Sequence, residues 1–283
     1  MMKSFQTKPS YVDVIARDGF AVFEDFLDLE TVYILLQALA RAKIDCVDSQ
    51  RAGKAFGIRN LLNIVPFTRD LANNPLCRSI VEPILGSTAR VVRGIYFDKH
   101  ENANWKVAWH QDVTIAVRER IKADGYGPWS IKADIHHVQP PASVLQNMLT
   151  VRIHLDDAQE SNGALRVLPG THKYGRLDTC QIQYWKQQQR TVSCLVRSGG
   201  AVVMRPLLLH SSIAAVNPGH RRVLHFEYSS IDLPSELKWF EEPSGRRKGG
   251  VGSDGHGHPR SILGRTARSL FRRRKTSAGN RRL

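Results

Sequence analysis

Apolar residues at helical spacing organise the first third of the chain, and alternation of apolar and polar residues organises most of the remainder. Residues 11–18 predict a short helix, with Asp18-Gly19 turning into a strand over 19–23. Val32, Leu35, Leu36 and Leu39 form the stripe of an amphipathic helix over 27–43, with Glu30 in its first turn. Residues 53–64 read as a loop feeding a strand. Pro75 and Pro83 divide the helical region 68–85 into two short helices, because proline lacks an amide donor and clashes with the preceding turn. Residues 89–97, rich in Val, Ile, Tyr and Phe, predict a strand, and 105–109 a second, shorter one.

Residues 118–143 are polar and punctuated by Gly125, Gly127, Pro128, Pro140 and Pro141. A stretch too long for a hairpin loop is expected to be an irregular lid or a substrate-specificity insertion. The clearest alternation runs over 148–155: Leu149, Val151, Ile153 and Leu155 share one face, Thr150, Arg152 and His154 the other. Either the aliphatic face packs under helices and the polar face lines a cavity, or the polar face meets solvent. Short strands follow at 164–168, 192–196, 200–204, 207–210 and 222–228, with a turn at Asn217-Pro218-Gly219 and a loop or short helix at 181–189. Helices first and many short strands afterwards predict a mainly β domain with flanking helices.

Candidate chemistry sits where two of these strands end. His110 and Asp112 stand two apart at the end of the 105–109 strand, so an extended backbone projects both into one space and turns Gln111 away. An imidazole and a carboxylate so placed are two ligands of a 2-His-1-carboxylate iron site. His210, at the end of the 207–210 strand, is the third candidate, and a jelly roll brings such distant strand ends together. Arg221 follows the Asn-Pro-Gly turn, and a guanidinium clasps a carboxylate with two hydrogen bonds. Other features read as structural. Adjacent His136 and His137 face opposite ways, His172 supports a turn, and His154 is a hydrogen-bonded interior histidine. His225 belongs to the barrel wall, Trp105, Trp109 and Trp129 to packing, and Arg222 is solvated or salt-bridged.

The formal net charge is +15, but residues 246–283 hold 12 of the Lys/Arg against a single acid, Asp254. The body is only mildly basic, so no stable nucleic-acid partner is expected. The division predicted is a folded domain over 1–245 and a basic tail over 246–283. In that tail 249–259 reads as disordered, and 261–275 reads either as a basic amphipathic helix in weak contact with anionic surfaces or, preferred here, as part of a solvated, dispensable extension. Truncation at Gly245 is expected to leave folding and turnover unchanged. Four widely spaced cysteines (Cys46, Cys77, Cys180, Cys194), an N-terminus without an apolar signal core, and no apolar run of membrane-spanning length predict a cytoplasmic chain with free thiols.

Four ordered blocks resemble the phytanoyl-CoA dioxygenase family of Fe(II)/2-oxoglutarate oxygenases. They are Trp109-His110-Gln111-Asp112; Leu155-Asp156-Asp157 with Asn162-Gly163-Ala164-Leu165; Leu168-Pro169-Gly170-Thr171-His172; and His210-Ser211-Ser212 with Arg221-Arg222-Val223-Leu224-His225. Asp18-Gly19-Phe20 and Leu27-Asp28 also fit, so the resemblance runs over about 11–230. It implies a double-stranded β-helix (jelly-roll, cupin-like) core and iron held by His110, Asp112 and His210. Arg221 and Ser212 would hold 2-oxoglutarate, with Gln111, Lys99 and Arg152 as further contacts to cosubstrate or substrate. Arg152 stands where the enzyme that names the family carries a tryptophan. The implied reaction decarboxylates 2-oxoglutarate to succinate and CO2 with O2 as co-reactant and ascorbate as a stimulant, oxidising a small-molecule substrate. Halogenating relatives vacate the carboxylate position, so Asp112 points to hydroxylation. The alternatives are a non-catalytic cupin-like binding protein, or a nucleic-acid or membrane-surface binder acting through the tail.

Overall fold

A computed structural model describes residues 10–45, 56–234 and 236–241. Cys46, part of the 53–64 loop, the domain boundary at 245 and the basic tail lie outside them. Ser10 opens α1 (Tyr11–Asp18) by accepting the amide of Asp13, and Gly19 closes it at φ +86°. β1 (Phe20–Phe23) and α2 (Leu29–Asp45) follow. After β2 (Phe56–Ile58) come α3 (Leu61–Ile64), α4 (Pro66–Ala72) and α5 (Pro75–Leu85). The prolines act as expected at one end only: Pro75 starts α5, behind the Asn74 cap, whereas Pro83 is accommodated inside it.

Thirteen strands among the described residues fall into three sheets. The remaining strands are β3 (Arg90–Lys99), β4 (Val107–His110), β5 (Ile115–Val117), β6 (Trp129–Lys132), β7 (Ile135–Val138), β8 (Met148–His154), β9 (Leu165–Val167), β10 (Val192–Cys194), β11 (Ala201–Met204), β12 (His210–Ser212) and β13 (Arg221–Ser229). A six-stranded sheet has the order β1-β11-β8-β13-β3-β2 and a four-stranded sheet β10-β9-β12-β4. All of their pairings are antiparallel. This is the jelly-roll core, and β-strand alternation sorts its side chains into two layers. Leu149, Val151, Ile153, Leu224, Phe226 and Tyr228 turn outward onto the helices, against Leu35, Leu39, Leu71 and Val81. Val202 and Met204 turn inward against Leu165, Val167 and Cys194 of the smaller sheet. The first of the two readings of 148–155 therefore holds: the aliphatic face lies under helices and the polar face looks into the sandwich.

The 118–143 stretch departs from expectation. It holds β6 and β7, which join β5 in a three-stranded sheet. Val117 and Val138 of that sheet pack with Leu207 and Trp239, with Trp129 against them. The turn residues that suggest an irregular loop instead mark the ends of short paired strands. Residues 181–189 belong to α7 (Thr179–Gln188), which follows α6 (Ala142–Gln146) in the chain and is capped by Asp178.

Two of the motif glycines are required by contact. A Cβ on Gly19 would lie 2.5 Å from His172 Nδ1, and Gly170 donates its amide to Asp18 O, so the Asp18-Gly19 segment and the third family block interlock. Gly163 has φ +76°, and a Cβ there would lie 2.5 Å from Ile213 O, a backbone atom that cannot swing aside. Gly163→Ala is therefore expected to lower stability by about 1–3 kcal/mol, measurable as a fall in the urea midpoint at unchanged m.

Candidate metal centre and cosubstrate pocket

β4 and β12 are neighbours, and their register sets His110 directly opposite His210. The 100-residue gap between them in sequence is thus closed by one antiparallel pairing. Each imidazole donates its Nδ1 proton to the carbonyl two residues back, His110 to Ala108 O and His210 to Leu208 O, both at 2.9 Å. That bond fixes the tautomer and leaves Nε2 free to accept a metal. Asp112 lies beyond the end of β4, where its amide donates to Pro206 O at 2.9 Å. Its carboxylate faces both rings, with Oδ1 3.8 Å from His110 Nε2 and Oδ2 3.7 Å from His210 Nε2. The three donor atoms lie within 4.8 Å of one another.

The protonation states suit a divalent ion. Burial opposes the charge on Asp112, but His210, His225, His110 and Arg152 outweigh it and hold the carboxyl down at about 2. Burial pushes His210 down to about 4, against the pull of Asp112. At neutral pH the site offers one carboxylate and a neutral imidazole from His210, as ligation requires. Asp112 Oδ2 is buried without a hydrogen-bond partner among the described residues, which is the state of a ligand atom awaiting a cation. Two imidazoles, one carboxylate and open space beside them fit ferrous iron.

That space is a cavity of about 340 Å³ between the two main sheets. β13 contributes Arg221, His225 and Glu227 to its wall, β3 contributes Arg93, Ile95 and Phe97, and β8 contributes Arg152. The smaller sheet contributes His110, Leu165, His210 and Ser212. Arg221 is buried, its side chain makes no hydrogen bond among the described residues, and its Nε is orphaned. Burial and then Arg152 lower its pKa to about 10, so it is still a cation at neutral pH.

The other sequence-predicted contacts are placed differently. Gln111 borders the cavity, but its amide is committed to backbone: Nε2 donates to Gly175 O and Leu207 O at 2.8 and 2.7 Å, and Oε1 accepts from Leu177 at 2.8 Å. Lys99 pairs in register with Arg221, yet its Nζ donates to Ile213 O at 2.6 Å and it stands outside the cavity wall. Arg152 is in the wall and donates to His225 Nδ1 at 2.8 Å. The expected hydrogen bond of His154 is missing: neither ring nitrogen has a partner among the described residues, and burial drives its pKa well below the usual histidine range. Arg222 turns outward and forks onto Asp156 through Nε and Nη2 at 2.7 and 2.6 Å.

A buried polar chain continues from Arg152 and His225. His225 Nε2 lies 3.4 Å from Glu227 Oε1, Arg93 Nη1 donates to the same oxygen at 3.2 Å, and Arg93 Nη2 donates to His137 Nε2 at 2.9 Å. His137 ends the chain by donating Nδ1 to Ile135 O at 2.9 Å. Glu227 and Arg93 are missed by the sequence reading, although alternation from Arg221 and from Lys99 puts them on the cavity face. Burial, then Arg93, lowers the pKa of His137 to about 4. Below its unfolded value of about 6.5 the unfolded chain takes up this proton and the native state resists it. Stability contributed by neutral His137 is therefore complete above pH 6.5 and lost as pH falls towards 4. Denaturant midpoints at pH 7 and 4.5 should differ less for His137→Gln than for the native chain.

Solved structures share this architecture. A non-heme alpha ketoglutarate dependent carbocyclase, SnoK from nogalamycin biosynthesis, superposes with a TM-score of 0.63 at 17% identity, over 84% of this chain and 88% of its own. EctD from S. alaskensis, solved with 2-oxoglutarate and 5-hydroxyectoine, gives 0.59 at 18% identity over 77% and 74%. HygX from Streptomyces hygroscopicus, solved with iron bound, gives 0.54 at 14% identity over 77% and 85%. At these identities the likeness is one of fold. No curated protein sequence matches the chain. Residues 15–223, most of the chain and all of the proposed metal ligands and pocket strands up to the first turn of β13, match the family described as phytanoyl-CoA dioxygenase (PhyH). The chain belongs to the phytanoyl-CoA dioxygenase family and is an Fe/2-oxoglutarate-dependent oxygenase.

Proposed function

We propose that this oxygenase hydroxylates a small-molecule substrate, with His110, Asp112 and His210 as the iron ligands and Arg221 as the seat of 2-oxoglutarate. The observation that carries the reading is the convergence of three donor atoms, from two paired strands and the loop beyond one of them, on the wall of a cavity. A ferrous ion there supplies the O2 chemistry that couples cosubstrate decarboxylation to oxidation of the substrate. The chain's own residues do the positioning. Arg221, with an unspent guanidinium, takes the distal carboxylate in two charge-assisted hydrogen bonds, and Ser212 adds a hydroxyl from the facing strand. Lys99, opposite Arg221 in the β13–β3 pair, supports this seat from outside the cavity, while Gln111 borders the cavity with its amide held by backbone. Arg152 is held by His225 beside the metal ligands, where it can meet cosubstrate or substrate. The presence of Asp112 favours hydroxylation over halide transfer, since no ligand position is vacated for an anion. Among the described residues no helix is long and apolar enough to cross a membrane. The test is O2-dependent succinate formation by the iron-loaded chain: succinate that requires both Fe(II) and 2-oxoglutarate supports the reading, and none under any metal or substrate condition refutes it.

A further inference from the structure

The cavity holds more positive charge than an iron and a cosubstrate use. Arg59, Arg93, Lys132, Arg152 and Arg221 line it against only Asp112 and Glu227. A divalent cation and a dicarboxylate cancel each other, so the surplus persists when both are bound. The cations are also divided along the strands. Arg221 is opposite Lys99 at one end of the β13–β3 pair, and Glu227 is opposite Arg93 towards the other. Six residues of strand separate Arg221 from Glu227, about 20 Å at the usual rise. His225 and Arg152 stand between, and Asp112 interacts with both.

The far pole has two cations without a bonded counterion. Arg93 is spent on Glu227 and His137. Arg59, just after β2, and Lys132, at the end of β6, form no side-chain hydrogen bond or ion pair among the described residues. Arg59 is half-buried and Lys132 exposed at the edge of the cavity; partial burial and then charged neighbours lower the pKa of both, Arg93 acting on Arg59, and Arg59 and Arg93 on Lys132, against a smaller pull from Asp112 and Glu227. Like charges gathered at one end of a cavity repel one another, and an anion placed between them relieves that repulsion. Beside His225 and Arg152 the wall also has an apolar part, with Ile95, Val113 and Leu165. Arg59 follows β2, the edge strand of the six-stranded sheet, and Lys132 comes from the three-stranded sheet of the 118–143 stretch.

Accepting Arg221 as the cosubstrate seat, we propose that Arg59 and Lys132 bind an oxyanion of the primary substrate, a carboxylate or a phosphate, whose apolar portion then extends along Ile95 and Leu165 to the metal. The 118–143 sheet is then a specificity element, because it carries one of the two anion-binding groups.

The probes are octanoate, octyl phosphate and octanol, titrated calorimetrically and anaerobically into the Fe(II)-loaded chain at saturating 2-oxoglutarate, so that Arg221 is already occupied. At least one anion should bind ten or more times tighter than octanol, and the tighter of the two identifies the group. Raising ionic strength should weaken the anion and not the alcohol. In the Arg59→Gln/Lys132→Gln double variant the anion should lose tenfold or more in affinity, while 2-oxoglutarate affinity stays at the native value. Equal binding of anion and alcohol, no saturable binding of either anion, or undiminished anion affinity in the double variant would overturn the proposal. Failure of the oxygenase reading itself would show differently, as loss of 2-oxoglutarate binding in the native chain.

Discussion

Asp112→Ala is expected to abolish 2-oxoglutarate turnover and to weaken Fe(II) binding by more than about a hundredfold, the loss that removing even an outer-sphere partner of a metal ligand can cause. The carboxylate is the only anionic donor of the three, and it faces both imidazoles at 3.7–3.8 Å. Its removal leaves only the two imidazoles, which hold a divalent ion far less well. The fold should not suffer. Oδ2 makes no hydrogen bond among the described residues, and the backbone amide of residue 112 still donates to Pro206. His110 and His210 keep their own carbonyl partners. The metal-free variant should therefore still fold, melting a few degrees below the metal-free native chain because the attraction of the carboxylate to His210, His225, His110 and Arg152 is lost. Metal affinity by competition with a chromophoric chelator, alongside thermal melting, separates the two effects. A variant that retains metal and turnover would remove Asp112 from the site.

Arg221→Met is expected to raise the KM for 2-oxoglutarate by about 10–150-fold, the worth of charge-assisted hydrogen bonds of about 1.5–3 kcal/mol. This guanidinium is buried in the cavity wall, and no hydrogen bond among the described residues satisfies it. The energy it gives a bound carboxylate is thus not spent elsewhere. Methionine retains the apolar stem, so the metal-free protein should be as stable as the native chain or more so, because an unpaired buried charge is gone. Arg221→Lys should restore little: an ammonium has the charge but lacks the planar fork. Steady-state kinetics with 2-oxoglutarate varied would show the change in KM, and a native KM in Arg221→Met would place the cosubstrate elsewhere.

The proposed metal ligands are legible in sequence because each rests on a short-range rule. Spacing of two puts His110 and Asp112 on one side, and an apolar run delivers His210 to a strand end. Alternation likewise divides β8 into two faces, but only the structure decides that the aliphatic one packs under helices. The features hidden from sequence depend on partners far apart in the chain. Arg93 meets Glu227 across 134 residues and His137 across 44. Nothing in the sequence near Arg59 or Lys132 signals that both reach the same cavity. The 118–143 stretch misleads because its glycines and prolines suggest a loop, while the strands between them are only four residues long and draw their stability from Trp239 and Leu207. Alternation turns Gln111 from the metal side, but the three backbone bonds that employ it cannot be read from its neighbours. His154 shows the limit of base-rate reasoning, since a buried histidine usually finds a partner and this one has none among the described residues.

The account stands on a single ferrous ion shared by residues 110, 112 and 210 with 2-oxoglutarate anchored beside it. Anaerobic addition of Fe(II) and then 2-oxoglutarate to the purified chain, followed by visible absorption, addresses this directly. The native chain should develop a weak charge-transfer band that saturates at one iron per chain, and Asp112→Ala should develop none. No band in the native chain, or an equal band in the variant, would contradict it.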